Sequence, residues 1–178
     1  MKKPDKKLEA FLRDVLKLPY KPNPQDNPEH ENQVGDLLKK HKIKYKAQPN
    51  GSQEFPDFHL EEYDIDLECK SIQGKKPKLN SNLPKPNVVY ILASGKANKI
   101  NIFFGQDVCP TKFKKFLEDN MVAYIKYVKE MNKKLLIITP GWSIYPRKDY
   151  ITNKLGPDFL DESLAEKVFK HFGFNYEV

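Results

Sequence analysis

A chain of 178 residues, 39% of them hydrophobic, has room for one domain with a sizeable core, and 31 Lys+Arg against 24 Asp+Glu leave a net charge of +7 that favours polyanionic partners, nucleic acid first. Two cysteines, Cys69 and Cys109, exclude a disulfide framework, no CxxC pattern accompanies them, and reduced thiols in a cytoplasmic protein are the expectation. The charged start Met-Lys-Lys-Pro-Asp-Lys-Lys leads into no apolar run and no stretch is long enough to span a bilayer, so neither a signal peptide nor a membrane partner is expected.

Leu8, Phe11, Leu12, Val15 and Leu16 recur at helical spacing and predict an amphipathic helix over 5–18. Pro19, Pro22, Pro24 and Pro28 follow as an extended connector, and Asn27-Pro28 reads as a helix start. The second helix runs from 28 to about 41, with Val34, Leu37 and Leu38 inward. Ile43, Tyr45 and Ala47 alternate with lysines and predict a strand, and Asn50-Gly51 is a tight-turn signal. Further strands are expected at 55–60, 63–72, 87–93 and 99–104, with 73–86 as a Lys-, Pro- and Asn-bearing loop. A long helix over 111 to about 132, a buried strand at 135–139, a polar and aromatic loop over 140–157 and a last helix at about 161–172 complete the chain. The whole reads as one α/β domain over 1–178, a mixed sheet with helices on its faces, without repeats or low-complexity segments.

The chemistry-bearing residues are Pro56-Asp57 and, ten residues on, Glu68-Cys69-Lys70. On a strand over 63–72, Ile65, Leu67 and Cys69 face the core, while Asp64, Asp66, Glu68 and Lys70 face the other way. Glu68 and Lys70 therefore share a face about 7 Å apart along the strand. A turn at 61–63 brings Asp57 beside Glu68. Two adjacent carboxylates repel unless a cation lies between them, and Mg²⁺ is commonly held by one or two carboxylates plus phosphate. Asp57 and Glu68 are the candidate ligands, with the Cys69 backbone carbonyl as a further one. Lys70 can hold an attacking water and offset charge growing on a phosphate. A second Pro-Asp, Pro157-Asp158, has only the adjacent helical pair Glu166-Lys167 behind it and fails this geometry.

The pattern Pro56-Asp57…Glu68-Cys69-Lys70 resembles the PD-(D/E)xK nuclease superfamily, and within it the type II restriction endonucleases. In those, a Gln-bearing loop often precedes the Pro-Asp, as Gly51-Ser52-Gln53 does here. The resemblance implies a restriction-endonuclease-like αβββαβ core over about 27–139. It also implies Mg²⁺-dependent hydrolysis of double-stranded DNA at a short sequence, as in a restriction-modification system, leaving a 5′ phosphate. A homodimer is expected, because palindromic sites mirror two-fold symmetry.

Family members often carry a helix glutamate near the metal, which makes Glu31 a candidate third catalytic acid, with Glu29 as its rival; a glutamate at a helix start is equally explained by the helix dipole. Ser52 and Gln53 are candidate groove contacts. Lys75, Lys76, Lys78, Asn80 and Asn82 are candidate DNA contacts on a loop that would otherwise be simply solvated. Arg147 and Lys148 lie in an aromatic-rich loop that suits base reading, packing or a dimer contact. His30, His41, His59 and His171 show no metal-ligand spacing, although His59 shares a strand face with Asp57 and is a candidate neighbour of the site. The competing expectations are a repair nickase or junction resolvase of the same fold, and a non-catalytic basic DNA-binding module.

Overall fold

The structure is a computed structural model that describes residues 5–20, 27–51, 54–74, 78–80, 83–146, 149–151 and 156–176. Its helices are α1 (Lys6–Leu16), α2 (Asn27–Lys40), α3 (Gly105–Val108), α4 (Thr111–Ile138) and α5 (Glu162–His171). Its strands are β1 (Tyr45–Ala47), β2 (Phe58–Leu60), β3 (Ile65–Ile72), β4 (Lys78–Asn80), β5 (Val88–Ser94), β6 (Lys99–Phe104) and β7 (Asp149–Ile151). Five strands form one mixed sheet in the order β1-β2-β3-β5-β6, and β4 pairs with β7 in a separate two-stranded ribbon. Within the main sheet β3 and β5 are parallel and the other neighbours antiparallel.

Alternation decides the faces. Leu67 and Cys69 of β3 join Val89 and Ile91 of β5 and Ile100 and Ile102 of β6 in the larger core. Phe11 and Val15 of α1, Val34 and Leu38 of α2, and Val168 and Phe169 of α5 close it from one side. The opposite face carries a smaller cluster that includes Tyr90, Leu92, Phe103 and Phe159. All of β5 is buried, as a strand covered on both faces must be, which explains its unbroken apolar run. Side-chain ties fix the helices: Asp14 of α1 accepts from Lys40 at 2.7 Å and pairs with His41 at 2.9 Å beyond the end of α2. Asn101 of β6 donates to the carbonyls of Phe159 and Asp161, both at 2.9 Å, and so holds the start of α5 against the sheet edge.

The mixed α/β sheet flanked by helices matches the sequence expectation, but the end of the expected core does not. Residues 135–138 continue α4 instead of forming a buried strand, and Leu136, Ile137 and Ile138 are exposed. No Gly or Pro lies between Met131 and Ile138, and Lys133 and Lys134 are good helix formers, so the helix propagates until Thr139-Pro140 stops it. The strand parallel to β3 is β5 instead. The chain reaches it through residues 73–87, which contain β4 and, among the described residues, no helix.

That connection runs close against α3. A Cβ on Gly105 would lie 2.1 Å from the backbone carbonyl oxygen of Lys85, a contact that no rotamer change relieves. Gly105→Ala should therefore destabilise the fold by about 1–3 kcal/mol, as overpacking of a rigid contact does. Thermal unfolding of the variant checks this, and an unchanged midpoint would show that the segment is not packed there.

Candidate active site

The β2–β3 hairpin sets Asp57 opposite Glu68. Its register pairs Phe58 with Leu67 and His59 with Asp66, and the next pair outward is Asp57 with Glu68. Cross-strand neighbours have Cβ atoms about 5 Å apart. The Asp57 carbonyl accepts from Gln48 N–H at 2.8 Å, and its Oδ2 accepts from Cys69 N–H at 2.7 Å, so backbone and side chain are both held. Upstream, the Asn50 side chain donates to the Phe55 carbonyl at 2.8 Å and ties the Asn50-Gly51 turn to the Pro56-Asp57 segment.

Glu68 and Lys70 leave β3 on the face opposite Leu67 and Cys69. Lys70 Nζ lies 2.6 Å from Glu68 Oε1. Glu68 is only 8% exposed, yet its other oxygen, Oε2, is buried and has no hydrogen-bond partner among the described residues. An unsatisfied carboxylate oxygen in a dry position is costly and marks a place for a donor or a cation. Because N–H and C=O of one strand residue leave on the same side, the Cys69 carbonyl also faces the Asp57 side of β3.

Burial pushes the Asp57 carboxyl up to about 7, with the negative charges of Glu68 and Glu31 adding to the effect and the Cys69 N–H and Lys70 opposing it. Glu31 is likewise raised, first by burial and then by Glu68, with Lys70 acting the other way. For Lys70, burial works against the charged form, but attraction to Glu68, the hydrogen bond Lys70 donates to it, and the charge of Asp57 outweigh it and raise its value. Among the described residues, three carboxylates thus share the Lys70 ammonium. Of Glu29 and Glu31, Glu31 is the one whose charge acts on Asp57.

Other expected residues are placed differently. His59 Nδ1 lies 2.9 Å from Asp66, its cross-strand partner in the same hairpin. His30 is buried, with Nε2 3.2 Å from the Ile91 carbonyl. Lys78 and Asn80 lie on β4, where they pair in register with Ile151 and Asp149 of β7. This ribbon joins the two segments that sequence offered separately as DNA contacts. Ser52, Gln53, Lys75, Lys76, Asn82, Arg147 and Lys148 lie outside the described residues.

Tyr90 was not among the sequence candidates. It sits opposite Glu68 on the parallel strand β5, stacks on Phe103 with ring centroids 5.6 Å apart, and accepts from Lys85 N–H at 2.9 Å. Burial raises its hydroxyl, and the charges of Glu68 and Asp57 reach it. The parallel register that aligns it spans the whole 73–87 connection and leaves no local signal. Among the described residues, no three His, Cys, Asp or Glu side chains by themselves form a metal-holding group. A hard cation that takes one or two carboxylates and completes its shell with water does not need three. The donor set here, two carboxylates of which one has an orphaned buried oxygen, fits such an ion.

No family model, curated protein or solved structure matches this chain. Among the described residues, no helix is long and apolar enough to cross a membrane.

The raised Asp57 carries a stability consequence. The folded state holds its proton up to pH about 7, while the unfolded chain gives it up near 4. Without a cation, this group therefore works increasingly against the fold as pH rises from about 4 to 7. Asp57→Asn keeps an acceptor for Cys69 N–H and removes the charge. In EDTA at pH 8 it should raise the melting temperature by roughly 2–4 °C, on the scale of 1 kcal/mol for a domain of this size. The gain should shrink as pH falls and vanish below pH about 4; a variant that melts lower than the parent at pH 8 would refute the electrostatic account.

Proposed function

We propose that this chain is a Mg²⁺-dependent endonuclease of the PD-(D/E)xK kind that cuts double-stranded DNA at a specific sequence, as type II restriction enzymes do. The observation that carries the reading is the buried Oε2 of Glu68 beside Asp57, without a hydrogen-bond partner among the described residues, on a hairpin that also presents Lys70 on the same face. Excess buried negative charge of this kind is what a site built around a divalent cation contains.

The family's restriction-endonuclease-like core needs a strand parallel to the one bearing Glu-x-Lys, and β5 can fill that role. The helix that the family core places before this strand has no counterpart among the described residues of 73–87. The fold reading therefore rests on the hairpin and on β5.

Asp57, Glu68 and the Cys69 carbonyl are the groups that would hold the cation. When bound, that ion would polarise the scissile phosphate and acidify the attacking water. Lys70 stays an ammonium at neutral pH, because its value is raised, and its role is to donate toward a phosphoryl oxygen as charge grows there. Glu31, raised by burial, is suited to accept a proton from the attacking water. Attack in line on phosphorus displaces the 3′ oxygen and leaves a 5′ phosphate. The net charge of +7 supplies attraction to the duplex, and the β4–β7 ribbon, flanked in sequence by Lys75, Lys76, Arg147 and Lys148, is the segment assigned to base and phosphate contact.

Incubating a plasmid with the protein in EDTA, Ca²⁺ or Mg²⁺ tests the reading. Discrete fragments should form in Mg²⁺ alone, and Asp57→Ala, Glu68→Ala and Lys70→Ala should each lower the rate by at least about 10²-fold, the scale of losing one electrostatic catalytic group. Cleavage in EDTA, or near-normal cutting by Lys70→Ala, would sink the assignment. Nicking alone or cutting confined to branched DNA would point to a repair nickase or junction resolvase. Binding without cutting in any metal would leave a DNA-binding module.

Affinity for duplex DNA in Ca²⁺ should also fall steeply with salt, by roughly 10³-fold or more between 50 and 200 mM if six or more phosphates are contacted. Flat salt dependence would show that the basic surface serves another purpose.

A further inference from the structure

One edge of the main sheet is β6, the last strand in the order β1-β2-β3-β5-β6. Which of its backbone groups point outward follows from the ladder. Gly95 N–H donates to the Ile72 carbonyl at 2.8 Å, so the backbone of Gly95 faces β3. Alternation then turns Ser94, Leu92 and Tyr90 toward β6, where Lys99, Asn101 and Phe103 are their partners. Ile100, between these, directs its N–H and C=O away from the sheet. Ile100 is only 1% exposed, and no hydrogen bond reaches it from the outer side among the described residues. Buried backbone groups are almost always paired, so an unpaired N–H and C=O side by side mark a place for a molecule that supplies both partners.

At this point on the edge a cavity of about 250 Å³ lies between α1, β6 and α5. Three consecutive strand residues, Lys99, Ile100 and Asn101, line it. Their side chains alternate between the two faces of the sheet, so what they present in common is the outer backbone edge. Leu16 of α1, Phe169 of α5 and Tyr176 make the walls apolar and aromatic. Arg13 of α1 and Lys17 at its end add positive charge. Lys99 lies 2.7 Å from Glu162 and Arg13 2.9 Å from Glu9, whereas Lys17 is exposed and makes no ion pair among the described residues.

We propose that this cavity binds a nucleoside monophosphate, with its base paired to the backbone of Ile100 and its phosphate at Lys17. Size is the first argument. At ~30 Å³ per water the space holds about eight waters, enough for a one- or two-ring heterocycle and less than a drug-sized molecule fills. A peptide strand also pairs with sheet edges, but it would have to run on past Asn101. There the Asn101 side chain donates to the carbonyls of Phe159 and Asp161 and holds that segment against the edge. A nucleobase needs the length of one residue only. Chemistry is the second argument. The rim of a base carries a donor and an acceptor next to each other, as in the amino group and adjoining ring nitrogen of adenine, and these complement the C=O and N–H of Ile100. Its faces stack on aromatic side chains, which Phe169 and Tyr176 offer. The phosphate, close to doubly negative at neutral pH, matches the uncompensated ammonium of Lys17. This site lies two strands away from Glu68 of β3, and the proposal does not rest on the nuclease reading.

Calorimetric titration of the full chain with adenosine monophosphate, in EDTA to keep metal from the carboxylate cluster, tests the assignment. Binding should saturate at one site per chain. Adenosine without its phosphate, and the Lys17→Glu variant with the nucleotide, should each bind at least about tenfold more weakly, the scale of losing a hydrogen bond to a charged group. An analogue with both hydrogens of the adenine amino group replaced by methyl cannot donate to the Ile100 carbonyl. It too should bind at least about tenfold more weakly, because a buried acceptor is left unpaired. Glu68→Gln should leave the affinity unchanged, which separates this site from the proposed catalytic one. Lys17 is exposed, so circular dichroism should show its variant folded; if it is not, adenosine and the dimethyl analogue decide on the native protein. A free nucleotide and the end of a strand share this chemistry. Displacement of the nucleotide by a 5′-phosphorylated single-stranded oligoadenylate would assign the strand end, and its failure the free nucleotide. No saturable binding up to about 1 mM, the weak end of specific affinity, would overturn the proposal. So would equal affinity for the dimethyl analogue, displacement by an equal concentration of inorganic phosphate, or loss of binding in Glu68→Gln.

Discussion

Negative charge in excess of its counter-charge, held where water is scarce, is the condition around which the centre of this molecule is arranged. Glu68 and Glu31 act on Asp57, Glu68 acts on Glu31, and among the described residues Lys70 is the cation that offsets them, bonded to one oxygen of Glu68. A fold selected for stability alone would replace such a cluster with apolar side chains at little loss. Here the surrounding structure maintains it: Gln48 and Cys69 donate to Asp57, and β3 is clamped between β2 and β5 so that Glu68 cannot swing outward without breaking the sheet. The charge imbalance has two forms of relief, a proton on Asp57 or an external cation. The proposed nuclease role uses the second, and the titration of Asp57 near neutrality shows how close the first lies in its absence.

The rigid part of this arrangement is local. Asp57, Glu68 and Lys70 come from one hairpin, in which a slip of one residue would turn Glu68 and Lys70 toward the apolar core and Cys69 outward. The bulky Leu67 and Phe58, buried in the larger core, prevent that slip. Glu31 comes from α2, whose position depends on the packing of Val34 and Leu38 and on the tie from Asp14 to Lys40 and His41. Helix and hairpin therefore position different parts of the cluster through independent contacts.

The same distinction explains what could be read from sequence. Alternation over Leu67-Glu68-Cys69-Lys70 fixed which side chains share a face, and the Asn50-Gly51 turn marked the hairpin, because both signals lie within a few residues. α1, α2, α5 and most strands followed from periodicity for the same reason. The parallel pairing of β3 with β5, the approach of Tyr90 to Glu68 and the β4–β7 ribbon depend on contacts across long connections, which no local pattern encodes. The error at 135–138 has another source. Leu135-Leu136-Ile137-Ile138 has the apolar, β-branched composition of a buried strand, and composition could not reveal that an uninterrupted helix precedes it and carries it outward.

Beyond the end of α4, Asn132 and Ile144 exchange two hydrogen bonds of 2.7 Å, amide to carbonyl in each direction, and fold the chain back along the helix. Trp142, the single tryptophan of the sequence, lies inside that clasp and is 77% exposed. Its indole is far into solvent and makes no part of either main core cluster. Ultraviolet emission excited at the indole band therefore reports on the clasp, while the sheet with its buried phenylalanines stays spectroscopically dark to it. Melting of the interior is visible to backbone circular dichroism, so in this molecule the two optical signals separate the behaviour of the helical arm from that of the domain behind it.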